Sequence, residues 1–411
     1  MAQSVLGNLV LGYRPLWNAQ RRLAGVQLYV QSDGSTAVDA PHLLRTLQEL
    51  WYAHSPRLLL SPQNRQLLAD LLEHAPAGSP WIEVRGEWLL HDAALHARLQ
   101  AAHRRGLKLV WRGGVDQLPE PAVAGCFDNS LLSLSPADAA TALQARAAQA
   151  SAQRQAARAP AGPASPVIDG QMYENLASRA LLHHCLDEHR AIAVAGWPLE
   201  DVLYSMRHHP LQPAHDTVHA LMRAIDAEQS LDAFEHILGE DPLLAWRFMV
   251  YTNSAALGLR TGIDSLRRGL VMMGYGSLQR WLSDQLPHCA TDPDLRPIRE
   301  SMVLRARLTE RLLDAGVENE LRSEVYMCGL FSQLDDLLAE PLGAILRRLP
   351  LSERIYDAIV LRTGPYAASL EMACALETDD MAAIRQLAET HEMSLEAVNR
   401  ALLRMLADLG A

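Results

Sequence analysis

His215 and His219 stand four residues apart, a spacing that puts two imidazoles on one helix face, as in a zinc pair. No glutamate completes an H-E-x-x-H pattern, so a surface helix without metal is expected. His183, His184 and Cys185 are metal-ligand types in a row, but adjacent helical residues point in different directions. With Asp187 and His189 nearby, a solvated helix face is expected there. Asp335–Asp336 and Asp379–Asp380 offer paired carboxylates for acid–base chemistry, with charged surface as the expected reading. Met272 and Met273 would suit a pliable binding surface or a helix core, and core packing is expected. Cys126, Cys185, Cys289, Cys328 and Cys374 are odd in number and never form C-x-x-C, which predicts buried free thiols. Lys108 is the sole lysine, so any lysine-dependent mechanism must use it.

Such residues need elements to position them. A chain of 411 residues exceeds one ordinary core, so two domains are expected. A net charge of −11 argues against a nucleic-acid sleeve, and 49% apolar residues exclude disorder throughout. The opening MAQSVLGNLVLGYRP does not read as a signal peptide, and no run approaches the ~18 apolar residues of a membrane span. A cytoplasmic protein is expected.

Up to about residue 212, short apolar runs alternate with amphipathic segments. The runs fall at 25–30, 57–61, 81–84, 106–111, 129–134, 165–169 and 191–196, with a weaker one at 202–206. This alternation predicts βα units, a parallel sheet and, from about eight strands, a closed barrel. Residues 136–164 are rich in Ala, Gln, Arg, Ser, Gly and Pro and predict a helix fraying into a loop. Past Pro213 the strand signals vanish and helical patterns take over. Asp241–Pro242 predicts an N-cap followed by proline at the first helical position. Val398, Ala401, Leu402, Met405, Leu406 and Leu409 form an apolar stripe on the last helix.

The stretch from Ile237 to Leu282 resembles the HDOD family. The resemblance rests on Asp241–Pro242, Asn253–Ser254–Ala255, Ile263–Asp264–Ser265, Met273–Gly274 and Leu278–Gln279–Arg280–Trp281. HDOD domains look like relatives of HD-type metal phosphohydrolases. The expected His–Asp pair falls on Ser332 and Gln333 in GLFSQLDDLL, so the resemblance implies architecture without a metal site.

The first half resembles the EAL family of cyclic di-GMP phosphodiesterases, in the degenerate form found before HDOD domains. GYRPLWNAQRRLAGVQLYV, PWIEVRGEWLLHD, GLKLVWRGG and AIAVAGW parallel that family's strand motifs. Carried across by position, the motif glutamate falls on Gln27, the strand asparagine near Leu59 and the paired aspartates on Trp111 and Arg112. The last glutamates fall around Val194 to Trp197, and the strand lysine falls within Asn129 to Leu134. Glu83 is retained, but its partner three residues on is Gly86.

The resemblance implies an EAL-like barrel over 1–212 and an all-helical HDOD domain over 213–411. It further implies a protein that is not an enzyme, with no cofactor and no metal, acting as a scaffold for a protein partner through the helical half. Nucleic acid and membrane are not expected partners. Cyclic di-GMP is expected to bind weakly or not at all, because Trp111 adds bulk at a strand end. Arg14, Arg85 or Arg112 could remake phosphate contacts, which leaves a cyclic di-GMP receptor, or an active phosphodiesterase, as the alternatives.

Overall fold

The computed structural model describes residues 5–34, 38–90, 92–155, 163–208, 210–254, 262–313 and 319–410. Eight strands close into a barrel in sequence order: β1 (Leu9–Trp17), β2 (Leu23–Ser32), β3 (Arg57–Pro62), β4 (Trp81–Arg85), β5 (Leu109–Gly114), β6 (Asn129–Ser133), β7 (Met172–Glu174) and β8 (Ala193–Ala195). Helices fill the connections, among them Ala40–Leu50, Arg65–His74 and Ala93–Arg104. Each of these three starts at a side-chain cap: Asp39 accepts from the His42 N–H, Asn64 from Leu67 and Asp92 from Leu95, at 2.8–2.9 Å.

The sheet departs from the all-parallel expectation at β1, which runs antiparallel to both β2 and β8. This strand carries Gly12 and Pro15, which mask its apolar pattern in the sequence. Pro15 gives its carbonyl to the Gly196 N–H at 3.1 Å, so its missing donor faces the β8 side and costs no bond to β2. Residues 202–206 belong to a helix, Leu199–Met206, and not to a strand. The expected strand at 165–169 is a loop, and the ladder is completed by Met172–Glu174 instead. Within the 136–164 segment, Pro136–Gln155 is helical, and 156–162 lie outside the described residues.

Packing divides the chain differently from the expected boundary at 212/213. One compact unit is Met1–Asp201 together with Leu376–Ala411, and the other is Val202–Ala375. The chain end belongs with the barrel because helix Leu395–Ala407 buries Val398, Leu402, Met405 and Leu406. Its Asn399 amide donates to the carbonyls of Leu6 and Leu9 at 2.8 and 2.7 Å. Gly12 lets the Thr378 carbonyl approach β1 closer than any side chain would allow.

In the second unit, apart from one bridge between Ala214 and Ala290, the described residues are helical or irregular. Helices Arg296–Leu312 and Asn319–Phe331 approach closely at Gly329, where a Cβ would lie 2.6 Å from Ala306 Cα. Among the described residues no helix is long and apolar enough to cross a membrane.

Candidate functional site

Alternation along the strands sorts the barrel interior into layers. Leu16, Leu59, Val110, Leu131 and Met172 form an apolar floor, with Trp81 packed against it. Two residues further along the same strand faces come Glu83 after Trp81, Arg112 after Val110 and Glu174 after Met172. These three meet near the C-terminal ends of β4, β5 and β7, the end at which barrels of this type carry ligands.

Arg112 joins the two acids. Its Nε and Nη2 donate to the Glu174 oxygens, both at 2.8 Å, and Nη1 donates to Glu83 Oε1 at 3.0 Å. The Gln27 amide donates to the other Glu83 oxygen at 2.7 Å, and the Tyr29 hydroxyl donates to the Gln27 carbonyl oxygen at 3.1 Å. Gln27, Glu83 and Glu174 are all buried. Burial works against the Arg112 charge, but Glu83 and Glu174 outweigh it and hold the guanidinium firmly protonated. Burial likewise pushes the Tyr29 hydroxyl well above the usual tyrosine range, against the pull of Arg14 and Arg112.

Two further arginines flank this network. Arg85, the last residue of β4, gives Nη2 to Gln63 Oε1, while its buried Nε has no hydrogen-bond acceptor and lies 3.9 Å from Glu83. Arg14 donates to Asn175 Oδ1 at 3.2 Å and lies 3.9 Å from Glu174.

The EAL resemblance implies a divalent metal at such a mouth, and the residues present do not fit one. Every oxygen of Glu83 and Glu174 already faces an N–H donor, and Gln27 turns its NH2 group, not its oxygen, to the acid. A dication about 4 Å from the guanidinium would face a repulsion of roughly 8 kcal/mol at an effective dielectric of about 20.

The positions carried across by resemblance therefore separate. Gln27, Glu83 and Arg112 come together. Leu59 lies one layer below, in the apolar floor. Trp111 does not crowd the mouth as expected. It faces outward, because its strand neighbours Val110 and Arg112 bracket it, one in the floor and the other in the polar network. There its indole N–H donates to the Gln117 carbonyl at 2.9 Å, and its ring meets Phe127 edge-on. A Cβ on Gly86 would overlap that indole, which accounts for glycine at this position.

Glu174 was missed by sequence reading. It ends a three-residue strand, too short to show a period, and only the turn at Asp169–Gly170 hints that a strand follows.

His184 is fully buried, which corrects the solvated face expected there, and Cys185 is buried as expected of a free thiol. The reason is helical spacing: buried Leu181 lies four residues before Cys185 and three before His184, and the same inward face carries His184. Its Nδ1 lies 2.6 Å from Glu188 Oε2, and its Nε2 lies 2.8 Å from Ser165 Oγ. His215 and His219 do share a helix face, with their Nε2 atoms 3.0 Å apart. Among the described residues no group of three His, Cys, Asp or Glu is arranged to hold a metal.

In the helical unit Asp241 is buried and caps helix Pro242–Thr252, accepting from Leu243 and Leu244 N–H at 2.9 and 3.1 Å and from Ala214 at 2.5 Å. Asn253 closes the same helix. Its amide donates to the carbonyls of Met249 and Ile263, both at 2.8 Å, and its oxygen accepts from Ile263 N–H at 2.7 Å. Ser254 Oγ donates to Tyr251, and Ala255 lies outside the described residues. Gly274, with φ 67° and ψ 165°, breaks Leu266–Gln285 into two helical pieces. Of the two methionines there, Met273 is buried and Met272 exposed, so core packing holds for one alone. Ser332 donates to the Gly329 carbonyl at 2.7 Å, and Gln333 begins the short helix Leu334–Leu338.

No family model matches the chain. It is 22% identical over 194 residues to the cyclic di-GMP phosphodiesterase CdgJ of Vibrio cholerae, covering 47% of this chain and 45% of that protein. It is also 22% identical over 205 residues to the uncharacterized protein YuxH of Bacillus subtilis, covering 46% and 49%. The chain spans about half the length of the curated relatives it matches. Among solved structures it is similar to the MmoQ response regulator of Methylococcus capsulatus, with TM-score 0.38, 18% identity, and 47% and 98% coverage. It is also similar to the EAL domain of Mycobacterium smegmatis DcpA, with TM-score 0.26, 15% identity, and 46% and 90% coverage.

The expectation that the chain is not an enzyme is corrected here. A curated relative bears the name of a cyclic di-GMP phosphodiesterase, so the absent family carboxylates are no ground for excluding catalysis. The same similarity supports the resemblance to cyclic di-GMP phosphodiesterases.

Proposed function

We propose that this is a cyclic di-GMP signalling protein whose barrel takes the cyclic dinucleotide at the mouth formed by β4, β5 and β7. The observation that carries this reading is the set of three guanidinium groups, Arg14, Arg85 and Arg112, gathered around two buried carboxylates at the strand ends. Arg112 is consumed internally. Arg85 and Arg14 stay partly exposed at the rim, with 25% and 19% of the side chain open to phosphodiester oxygens, and the name of the Vibrio relative points to the same ligand class.

Calorimetric titration of the full chain with cyclic di-GMP tests the reading. Binding that weakens roughly tenfold or more in Arg85→Ala and Arg14→Ala, with circular dichroism unchanged, is expected. A folded chain that binds none sinks it. The relative's name also favours a second step at this mouth, in which water adds across one P–O bond and opens the ring. Chromatography of the same mixtures for the linear dinucleotide measures that step.

The helical unit, which resembles HDOD domains, we read as the output that binds a protein partner. Pull-downs with the full chain, with and without cyclic di-GMP, test it. An unchanged set of bound proteins would count against regulation by the barrel.

A further inference from the structure

We propose that Arg112 is the resident cation of the barrel mouth, standing where a divalent ion would stand between Glu83 and Glu174, so that this mouth keeps its acids neutralised without a metal. The guanidinium spans the gap between the two carboxylates, bidentate on Glu174 and end-on to Glu83. Both acids are almost completely enclosed, at 4% and 1% exposure, so neither can turn to solvent for its counter-charge. Arg14 and Arg85, each 3.9 Å from one acid, supply further positive charge from the rim.

Gln27 completes the arrangement from the other side. Its oxygen is taken by the Tyr29 hydroxyl, so its NH2 group must face Glu83, and it offers that acid a donor where a metal site needs a further acceptor. Leu59 contributes no polar atom, being in the apolar floor. With the guanidinium in place each carboxylate oxygen therefore already meets an N–H donor, and no oxygen is left over for a bare ion.

Deleting the guanidinium should expose what it replaces. In Arg112→Ala the two acids face an opened space with only the rim arginines, 3.9 Å away, as counter-charge, and a divalent cation becomes the natural occupant. Thermal melts and manganese titration of the full chain, in EDTA and in about 1 mM Mn2+, test this directly. The wild type is expected to melt identically in both and to show no Mn2+ site that depends on Glu174. Arg112→Ala is expected to melt lower in EDTA, to rise again with Mn2+, and to lose that rise in Arg112→Ala/Glu174→Gln.

A wild-type Mn2+ site abolished by Glu174→Gln would overturn the inference, since the metal would then displace the guanidinium. An Arg112→Ala chain that folds and ignores Mn2+ would overturn it too. Should that variant not fold, Arg112→Lys keeps one cation and is expected to fold without any response to Mn2+. A Mn2+-dependent rise in that variant counts against the proposal. None of these readouts uses cyclic di-GMP, so their failure is distinct from failure of the ligand reading. Where that reading holds, cyclic di-GMP binding is expected to be insensitive to EDTA.

Discussion

Glycine at 86 and tryptophan at 111 are one decision made at two positions. A methyl group at 86 would lie 2.3 Å from an indole carbon of Trp111, so Gly86→Ala is expected to destabilise the barrel by about 1–3 kcal/mol, the usual cost of overpacking. Urea unfolding of Gly86→Ala, Trp111→Leu and the double variant checks this. If the cost of the alanine persists with the indole gone, the clash is not its cause.

Glu188 makes a second residue-scale case. Burial raises its pKa, but the hydrogen bonds from His184 and Arg146 outweigh burial and hold it below the ordinary value of 4.5. A carboxylate depressed in the folded state contributes stability above its unfolded value and loses it as pH falls through the folded one. Glu188→Gln is therefore expected to lower the urea midpoint at neutral pH, with the gap to wild type closing below about pH 4.5. A gap that stays constant with pH would show that the charge is not involved.

At the scale of elements, helix Pro242–Thr252 is defined by its two ends. Asp241 satisfies orphan N–H groups at the start, and Asn253 joins the last turn to Ile263, ten residues on. Asn253→Leu removes three hydrogen bonds in a partly buried corner and is expected to cost about 1–3 kcal/mol, read from thermal or urea unfolding of the full chain. Asn253→Asp keeps the acceptor for the Ile263 N–H and is expected to recover part of the loss. Equal losses in both variants would move the role of Asn253 from acceptor to donor. The next helix shows a different control. Gly274 sits in a conformation open almost only to glycine, so the sequence pair Met273–Gly274 encodes a break and not a continuous rod.

Across the whole molecule, the chain end completes the barrel unit. Asn399 binds the carbonyls of Leu6 and Leu9, and the Thr378 carbonyl rests against Gly12. Asn399→Ala leaves two buried carbonyls unpaired and is expected to cost about 1–3 kcal/mol in urea unfolding. A chain ending at residue 375 should lose the cooperative melt of the barrel, followed by near-ultraviolet circular dichroism of its tryptophans. An unchanged melt in that truncated chain would show that the terminal helices merely rest on β1.

The sequence alone determined the alternation of strands and helices except at β1, β7 and 202–206, the helical character of the second half, and the cap at Asp241–Pro242. Each of these is written in short-range patterns: period two, period 3.6, and a capping residue beside a proline. Glu83 and Arg112 were also legible as residues near strand ends. What only the tertiary structure decided is which side each strand residue faces, and who meets whom across the barrel. Trp111 and Arg112 are neighbours, so one must point in and the other out, and a shift of one residue exchanges them. Arg112 finds Glu174 across 62 positions of sequence, from a strand too short to announce itself. The last 36 residues return to β1 because β1 and the opening turn leave carbonyls and apolar surface that the terminal helix satisfies. No local pattern records such a partnership, since burial and hydrogen-bond satisfaction are settled only when distant segments meet.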